Sequence, residues 1–500
     1  MGDEEILSRK AKIIKGDIPE IAVGKMRYRE IILSGSINLR SSTYRLLKEF
    51  ALCGGKVIVI GEKPSYLDGY AAALDFSFAQ SANMENAGEI AGRSALFRYS
   101  LEQGENFISV AKKKGKDYYL FICNFDRKNP HATKISVSGE YNVEKLNLRS
   151  GKRENINFKH RNNRTELSHS FAPSEELLLR ITGEKIETRL QPQYCPKFRA
   201  PDVPIKYSLD SNNILVLDMA DYYIDGEYKG HDEILHLDRE VRLAKKMPLR
   251  GGEMVQPWYK NKFCKQTFAK PVCKLSLVYR FQIDAVPEKI ALTAESPEDF
   301  EFFINEKKLD FSRAQQSGLN VSIKTLPFAA AYLAEGMNTL RVECDFSDKI
   351  NLETLYLTGK FGVTAGDISR IGPLPETIRF GNITKQGFPF YSGSITYYIE
   401  APLGSYAIEV ADFYAECLKS GDNIAAFAPF FIENAISDGA VPLTTVLTRK
   451  NTFGPLHEIP ALHKQCSPGD FITCGDMYSS DYQLIEQGVF SPPVLMKIEK

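Results

Sequence analysis

The spacing of apolar residues divides the chain into a short opening stretch with helical period and a long remainder with the period of strands. In "REIILSGSINLRSSTYRLLKEFALCGGKVIVIGEKP", residues 29–64, Ile31, Ile32 and Leu33 form one apolar run, and Val57 to Ile60 form another. Between them Tyr44, Leu47 and Ala51 share a helical face, which Ser41 or Ser42 can cap and Gly54 and Gly55 can end. Two apolar runs joined by an amphipathic helix predict a parallel βαβ unit. It is a small one, part of a domain over residues 1–92.

From about residue 95 the period changes to 2. "NFISVAKKKGKDYYLFICNF" predicts a hairpin with a Lys/Gly turn, and "KISVSG", "VEKLNLRSGKRENINF" and "EELLLRI" continue as strands between turn residues. This is the pattern of a β-sandwich over 93–190. "RLQPQYCPKFRAPDVPIKY", with four prolines, reads as a linker. Beyond it the same pattern returns in "NILVLDMADYYIDGEY", "KLSLVYRFQID", "KIALTAE", "DFEFFINEKKL", "NTLRVECDF" and "LETLYLTGKFGV", interrupted by a helical insertion at "HDEILHLDREVRLAKKM". Leu340, Val342, Cys344 and Phe346 alternate cleanly, so one face of that strand is buried. A jelly-roll-like sandwich over 191–368 and a second jelly-roll domain over 369–500 are expected. In the latter, "FGNITKQGFPFYSGSITYYIEA" (380–401) reads as two strands joined by an aromatic loop, and "RKNTFGPLHE" as a turn punctuated by Gly454 and Pro455.

Composition narrows the chemistry. Five hundred residues exceed one core, and 63 basic against 63 acidic residues leave no net charge to draw a nucleic acid or an anionic membrane. Neither is expected as a partner. No apolar run reaches about 18 residues, and "MGDEEILSRKAKIIKGDIPE" has no apolar h-region, so no signal peptide is read. If Met1 is the true start, a cytoplasmic protein is expected. The nine cysteines (Cys53, Cys123, Cys195, Cys264, Cys273, Cys344, Cys417, Cys466 and Cys474) never form CxxC, which favours reduced, buried thiols over a zinc site or a disulfide framework.

The α/β segment, of flavodoxin- or amidotransferase-like kind, raises nucleotide or thiol chemistry. It carries neither GxGxxG nor GxxxxGK[ST], and Cys53 ends a helix with no His before residue 131, so it reads as structural. The seven histidines hold no HExxH, and His231 and His236, five apart, do not share a helix face; no metal and no cofactor are expected. Glu295, Glu298, Asp299 and Glu301 offer the paired acids a glycosidase needs, but at that spacing acids solvate a turn. Aromatic rings that stack on sugar C–H faces remain: Trp258 and Tyr259 in "VQPWYKNKF", and Phe388, Phe390 and Tyr391 in the aromatic loop. For the loop, core packing is read first and the platform second, with Tyr391 as its candidate ring at a rim. Asn451 and His457 complete the candidate sugar-binding set.

Together these stretches show a resemblance. "GDEEILSR" and "INLRSSTYRLLKEFALCGGKVIVIGEKP" resemble the α/β segment that follows the catalytic barrel in bacterial glycoside hydrolases of the α-L-rhamnosidase-like kind. "EGMNTLRVECDFSDKINLETLYLTGKFGV" followed by the 380–401 stretch is similar to their C-terminal region. "FAPFFIENAI" and "LTRKNTFGPLH" resemble the galactose-binding-like jelly roll of family 2 glycoside hydrolases, from which "ECLKSGDNIAAF" departs at the family's turn. The resemblance implies the accessory, non-barrel half of a glycoside hydrolase, with carbohydrate and a catalytic barrel, as domain or subunit, for partners. The catalytic acids would lie on that barrel, so no catalytic residue is carried over to this chain. The alternative is a self-standing carbohydrate-binding or scaffold protein.

Overall fold

The structure, a computed structural model, describes residues 3–87, 90, 97–148, 151–185, 193–250, 270–426, 430–461 and 466–499. It is mainly β and divides into two compact units: Met1–Phe171 with Glu176–Arg189, and Ala172–Glu175 with Leu190–Lys500.

In the first unit the predicted βαβ forms. The strands Glu30–Ser34 and Lys56–Ile60 pair in parallel, and Gln80–Ala82 adds a third strand beside the latter. The connecting helix, Ser41–Leu52, buries Thr43, Leu47 and Phe50. Its cap differs from the serine expected: Arg40 holds that position without a side-chain bond, and the Asp68 carboxylate accepts from the Ser41 amide at 3.0 Å. A carboxylate at the positive end of a helix does the work a serine hydroxyl would do. Gly55 follows because a Cβ there would lie 2.4 Å from the Phe50 ring. Residues 97–185 form the predicted sandwich, whose four- and five-stranded sheets enclose Leu120, Ile122, Ile135, Val137, Leu177 and Leu179. The expected hairpin joins Phe107–Lys114 to Asp117–Asn124, with Lys114 opposite Asp117.

The second unit holds two cores. One lies between a five-stranded sheet and an eight-stranded sheet built on the antiparallel pair Cys273–Ile283 and Gly336–Phe346. On the latter strand Leu340, Val342, Cys344 and Phe346 all face inward. The predicted insertion is the helix Ile234–Ala244, whose Ile234, Leu237 and Val241 join this core. The other core lies between a four-stranded and a five-stranded sheet.

Two sequence readings change here. The proline-rich segment is no linker: Gln193–Arg199 pairs with Val494–Glu499, and Tyr207–Leu209 pairs with Ser394–Glu400. Gln193–Arg199 is an edge strand, and its register shifts between Tyr194 and Lys197, around Pro196. Edges and bulges are where a sheet tolerates a residue without an N–H. In 380–401 only the second strand, Ser394–Glu400, forms; the first half is irregular around a 3-10 turn at Ile383–Lys385. "RKNTFGPLHE" includes a one-turn helix, Lys450–Phe453, before Gly454.

Among the described residues no helix is long and apolar enough to cross a membrane, and no three His, Cys, Asp or Glu side chains cluster to hold a metal ion. Cys53, Cys123, Cys273, Cys344, Cys417 and Cys474 are free thiols.

Candidate functional site

A cleft of ≈ 660 Å³ opens in the second unit, walled by residues 363–366, 382–389 and 481–486. That volume lies within the range of small-ligand sites. The first wall extends from the strand Gly362–Thr364, which Arg370–Gly372 ties to the long strand Cys273–Ile283. The second is set by Asn382, whose side-chain oxygen accepts from the Thr384 amide at 3.0 Å, and by Gly387 at φ +95°. Its carbonyl accepts from Val363 N at 2.9 Å and Asn213 Nδ2 at 2.8 Å. The third wall is a strap. Asn451 grips it at Ile485, donating to the carbonyl at 2.8 Å and accepting from the amide at 3.0 Å; Gln483 N donates to Leu456 O at 2.6 Å.

The floor and rim are polar. Asn382, Thr384, Lys385, Asp481 and Glu486 all line the cleft, and Lys385, Asp481 and Glu486 are exposed. Side chains of both charges thus line one opening, with Asn382 accepting from the Thr384 hydroxyl at 2.8 Å and donating to Glu486 at 3.2 Å.

The aromatic candidates sit elsewhere. Phe388, Phe390 and Tyr391 are 0%, 0% and 1% exposed, so they present no ring to a ligand in this structure. Phe388 and Tyr391 enter one core and Phe390 the other, and the loop between them rivets the two together. Tyr391, expected at a rim, instead donates its hydroxyl to Asp210 Oδ1 at 3.0 Å. The physical reason is that the loop lies between two apolar cores, and burial of a ring in either outweighs exposing it. Asn451 is fully buried and His457 nearly so; both hold the strap from behind. Trp258 and Tyr259 lie outside the described residues.

Sequence reasoning missed what stands behind the strap. Asp218 follows the buried run Asn213–Leu217 and is itself 2% exposed. Its carboxylate accepts from Tyr482 Oη at 2.8 Å and lies 3.2 Å from His457 Nε2. The other ring nitrogen of His457 lies 2.8 Å from the Ser479 carbonyl. Burial disfavours the imidazolium, but the Asp218 carboxylate and the Ser479 carbonyl outweigh it and hold the pKa above its ordinary value. Glu233, which caps the helix Ile234–Ala244 by accepting from Leu235 N and His236 N, is pushed well up by burial and then by Asp218. The one sequence clue was a polar residue interrupting an apolar run at Asp218; its partner His457 lies 239 residues away.

The acids singled out as a possible pair are dispersed. Glu298, Asp299 and Glu301 pair with Lys324, Lys349 and Lys308 respectively. Glu295 differs: its Oε1 is buried without a hydrogen-bond partner among the described residues, and burial together with Glu353 raises its pKa to about 7. Glu353 is bound to Arg250 at 2.5 Å, so the one guanidinium is already engaged. Glu295 holds its proton more tightly folded than unfolded, so the acid is fully tolerated below its ordinary 4.5 and costs stability as pH rises through about 7. Glu295→Gln is therefore expected to stabilise the unit by about 1–3 kcal/mol at pH 8 and by little at pH 5. Denaturant unfolding at the two pH values checks this.

No protein-family model matches the sequence, and no curated protein is similar to it. Among solved structures, a rhamnosidase from Novosphingobium sp. PP1Y is 13% identical, over 68% of this chain and 31% of its own, with a TM-score of 0.29. The apo exo-carrageenase GH42 from Bacteroides ovatus is 15% identical over 32% of this chain and 23% of its own, at a TM-score of 0.22. A β-D-mannosidase from Dictyoglomus thermophilum is 13% identical over 46% of this chain and 31% of its own, at 0.18. The chain spans less than a third of the length of each. Similarity at these TM-scores carries no inference about activity.

Proposed function

We propose that this chain is the accessory, carbohydrate-binding portion of a glycoside hydrolase, with jelly-roll, galactose-binding-like sandwiches, and that the cleft between the 363–366, 382–389 and 481–486 segments holds the sugar. The observation that carries this reading is the cleft itself. Its ≈ 660 Å³ volume and its mixed lining of amide, hydroxyl, ammonium and carboxylate groups suit a polyhydroxylated ligand better than an apolar one. Binding is favoured over hydrolysis because Asp481 and Glu486, the two acids on the rim, are both solvent-exposed. A general acid works from a drier setting than theirs. The sequence resemblance, which assigns bond cleavage to a separate barrel, points the same way.

Calorimetric titration with a panel of mono- and oligosaccharides, rhamnose and galactose among them, tests the reading. Lys385→Ala and Asp481→Ala, neither of which removes a core contact, are expected to weaken binding at least about tenfold, or ~1.4 kcal/mol. Aryl glycosides should not be turned over by the chain alone. Failure of the folded protein to bind any sugar, or wild-type affinity in both variants, would remove the cleft from consideration.

A further inference from the structure

The strap that forms the third cleft wall is held by two histidines arranged alike. His457 has Asp218 Oδ2 at one ring nitrogen and the Ser479 carbonyl at the other. His236 has Asp232 Oδ1 at 3.3 Å from Nδ1 and the Thr473 carbonyl at 2.8 Å from Nε2. Each ring thus faces an acceptor at both nitrogens, and each spans from a carboxylate on the sandwich to a backbone carbonyl on the strap. A neutral imidazole carries one N–H and one lone pair, so it satisfies one acceptor and turns a lone pair on the other. Only the imidazolium satisfies both. The rings also bracket the strap's aromatic residues: His236 meets Tyr478 at a tilt, 4.5 Å between centroids, and His457 lies 5.2 Å from Tyr482.

We propose that His236 and His457 are paired proton latches that close the 473–486 strap, and with it the third wall of the cleft, when both rings are charged. The latch stands on its own geometry; only its bearing on sugar binding rests on the function proposed above.

The charged and titratable groups around the pair fit this assignment. Asp218, Glu233 and Tyr482 face His457, Glu458 adjoins it in the chain, and Lys450 stands 4.0 Å from Glu458. Asp232 and Tyr478 face His236, with the Tyr478 hydroxyl donating to Asp232 at 3.1 Å; Arg239 opposes the charge on His236, and a charged His236 opposes that on His457, which the Asp218 carboxylate outweighs. Asp470 lines the small cavity that Glu233, His457 and Tyr478 share. For both histidines the net direction is upward from 6.5, led at His236 by the Asp232 bond and at His457 by the Asp218 bond and charge acting against burial. A raised histidine pKa contributes stability that is complete below the unfolded value and lost as pH rises through the folded one. The strap therefore closes in mildly acidic solution and loosens on the alkaline side.

Hydrogen–deuterium exchange of the full chain, at pH 6 and pH 8.5 and corrected for intrinsic exchange, reads the latch without any sugar present. The Ser479 and Gln483 amides, bonded to His457 O and Leu456 O, report strap opening. Their protection is expected to fall by up to about tenfold per pH unit for each proton released, between the open-state and closed-state pKa values, and to level off above the latter, while that of the Gly336–Phe346 strand holds. His236→Gln should flatten this dependence, as should His457→Gln if that more buried variant folds. Equal change in strap and control strand, or a dependence unaltered in His236→Gln, overturns the latch. Sugar titration at pH 6 separates the two ideas: a pH-gated strap with no sugar bound retains the latch and discards the cleft's proposed role.

Discussion

Arg242→Ala is expected to lower the stability of the 190–500 unit by about 3–5 kcal/mol. Arg242 is 2% exposed, yet its guanidinium is fully engaged. It donates to Asp238 at 2.7 Å, to the Ile350 carbonyl at 2.6 Å and to Pro248 and Asn351 more distantly, and it covers the Phe346 ring at 5.4 Å. Truncation removes the stem from the core and leaves the Asp238 carboxylate, itself 2% exposed, with the Leu352 amide as its remaining donor among the described residues. Most of the cost comes from that orphaned charge. The double variant Arg242→Met with Asp238→Leu should therefore recover much of the loss, because it removes both charges and keeps their volume. Urea unfolding of the single and double variants measures both; equal losses in the two would show that packing, and not charge, governs the site.

Phe390→Ala should cost a comparable about 3–5 kcal/mol, for a different reason. The ring is fully buried and meets Tyr482 edge-on at 4.9 Å. Its backbone carbonyl accepts from the buried Thr452 hydroxyl at 2.7 Å. A void here has rigid sheet on one side and the strap on the other, so the strap is the element that can collapse into it. The variant should lower the unfolding midpoint and also increase exchange at Tyr482 and Gln483. By contrast Tyr391→Phe, which removes one hydroxyl and no volume, should cost about 1 kcal/mol. A small effect at Phe390 would mean that the loop is not the rivet between cores described above.

Much of the fold was legible because its strands carry their own pattern. The alternation from Leu340 to Phe346 and the apolar runs at Ile31–Leu33 and Val57–Ile60 are local signals, and each formed the element it predicted. Features that depend on distant partners were not. Prolines at 196 and 201 argued for a linker, but the pairing partner of that segment is almost 300 residues away, at the far end of the chain. The aromatic loop was read as core packing ahead of a surface platform, as its burial bears out, but sequence could not show that two cores meet across it. The candidate site was not legible: Asn451 and His457, read as sugar contacts, lie buried behind the strap, and Asp218 and His236 meet His457, Tyr482 and Thr473 only through packing of elements more than 200 residues apart. No short motif records such a meeting.

The pairing of Gln193 with Glu499 has one more consequence. Neighbouring strands run about 4.8 Å apart, so Gln193 and Glu499 lie side by side although most of the unit's sequence separates them. A hairpin loop of a few residues would join them, and a circular permutant opened at an exposed turn such as Gly421–Asp422 would retain every strand pair. The same adjacency lets the half be spliced as one cassette into a surface loop of another protein without pulling that loop apart.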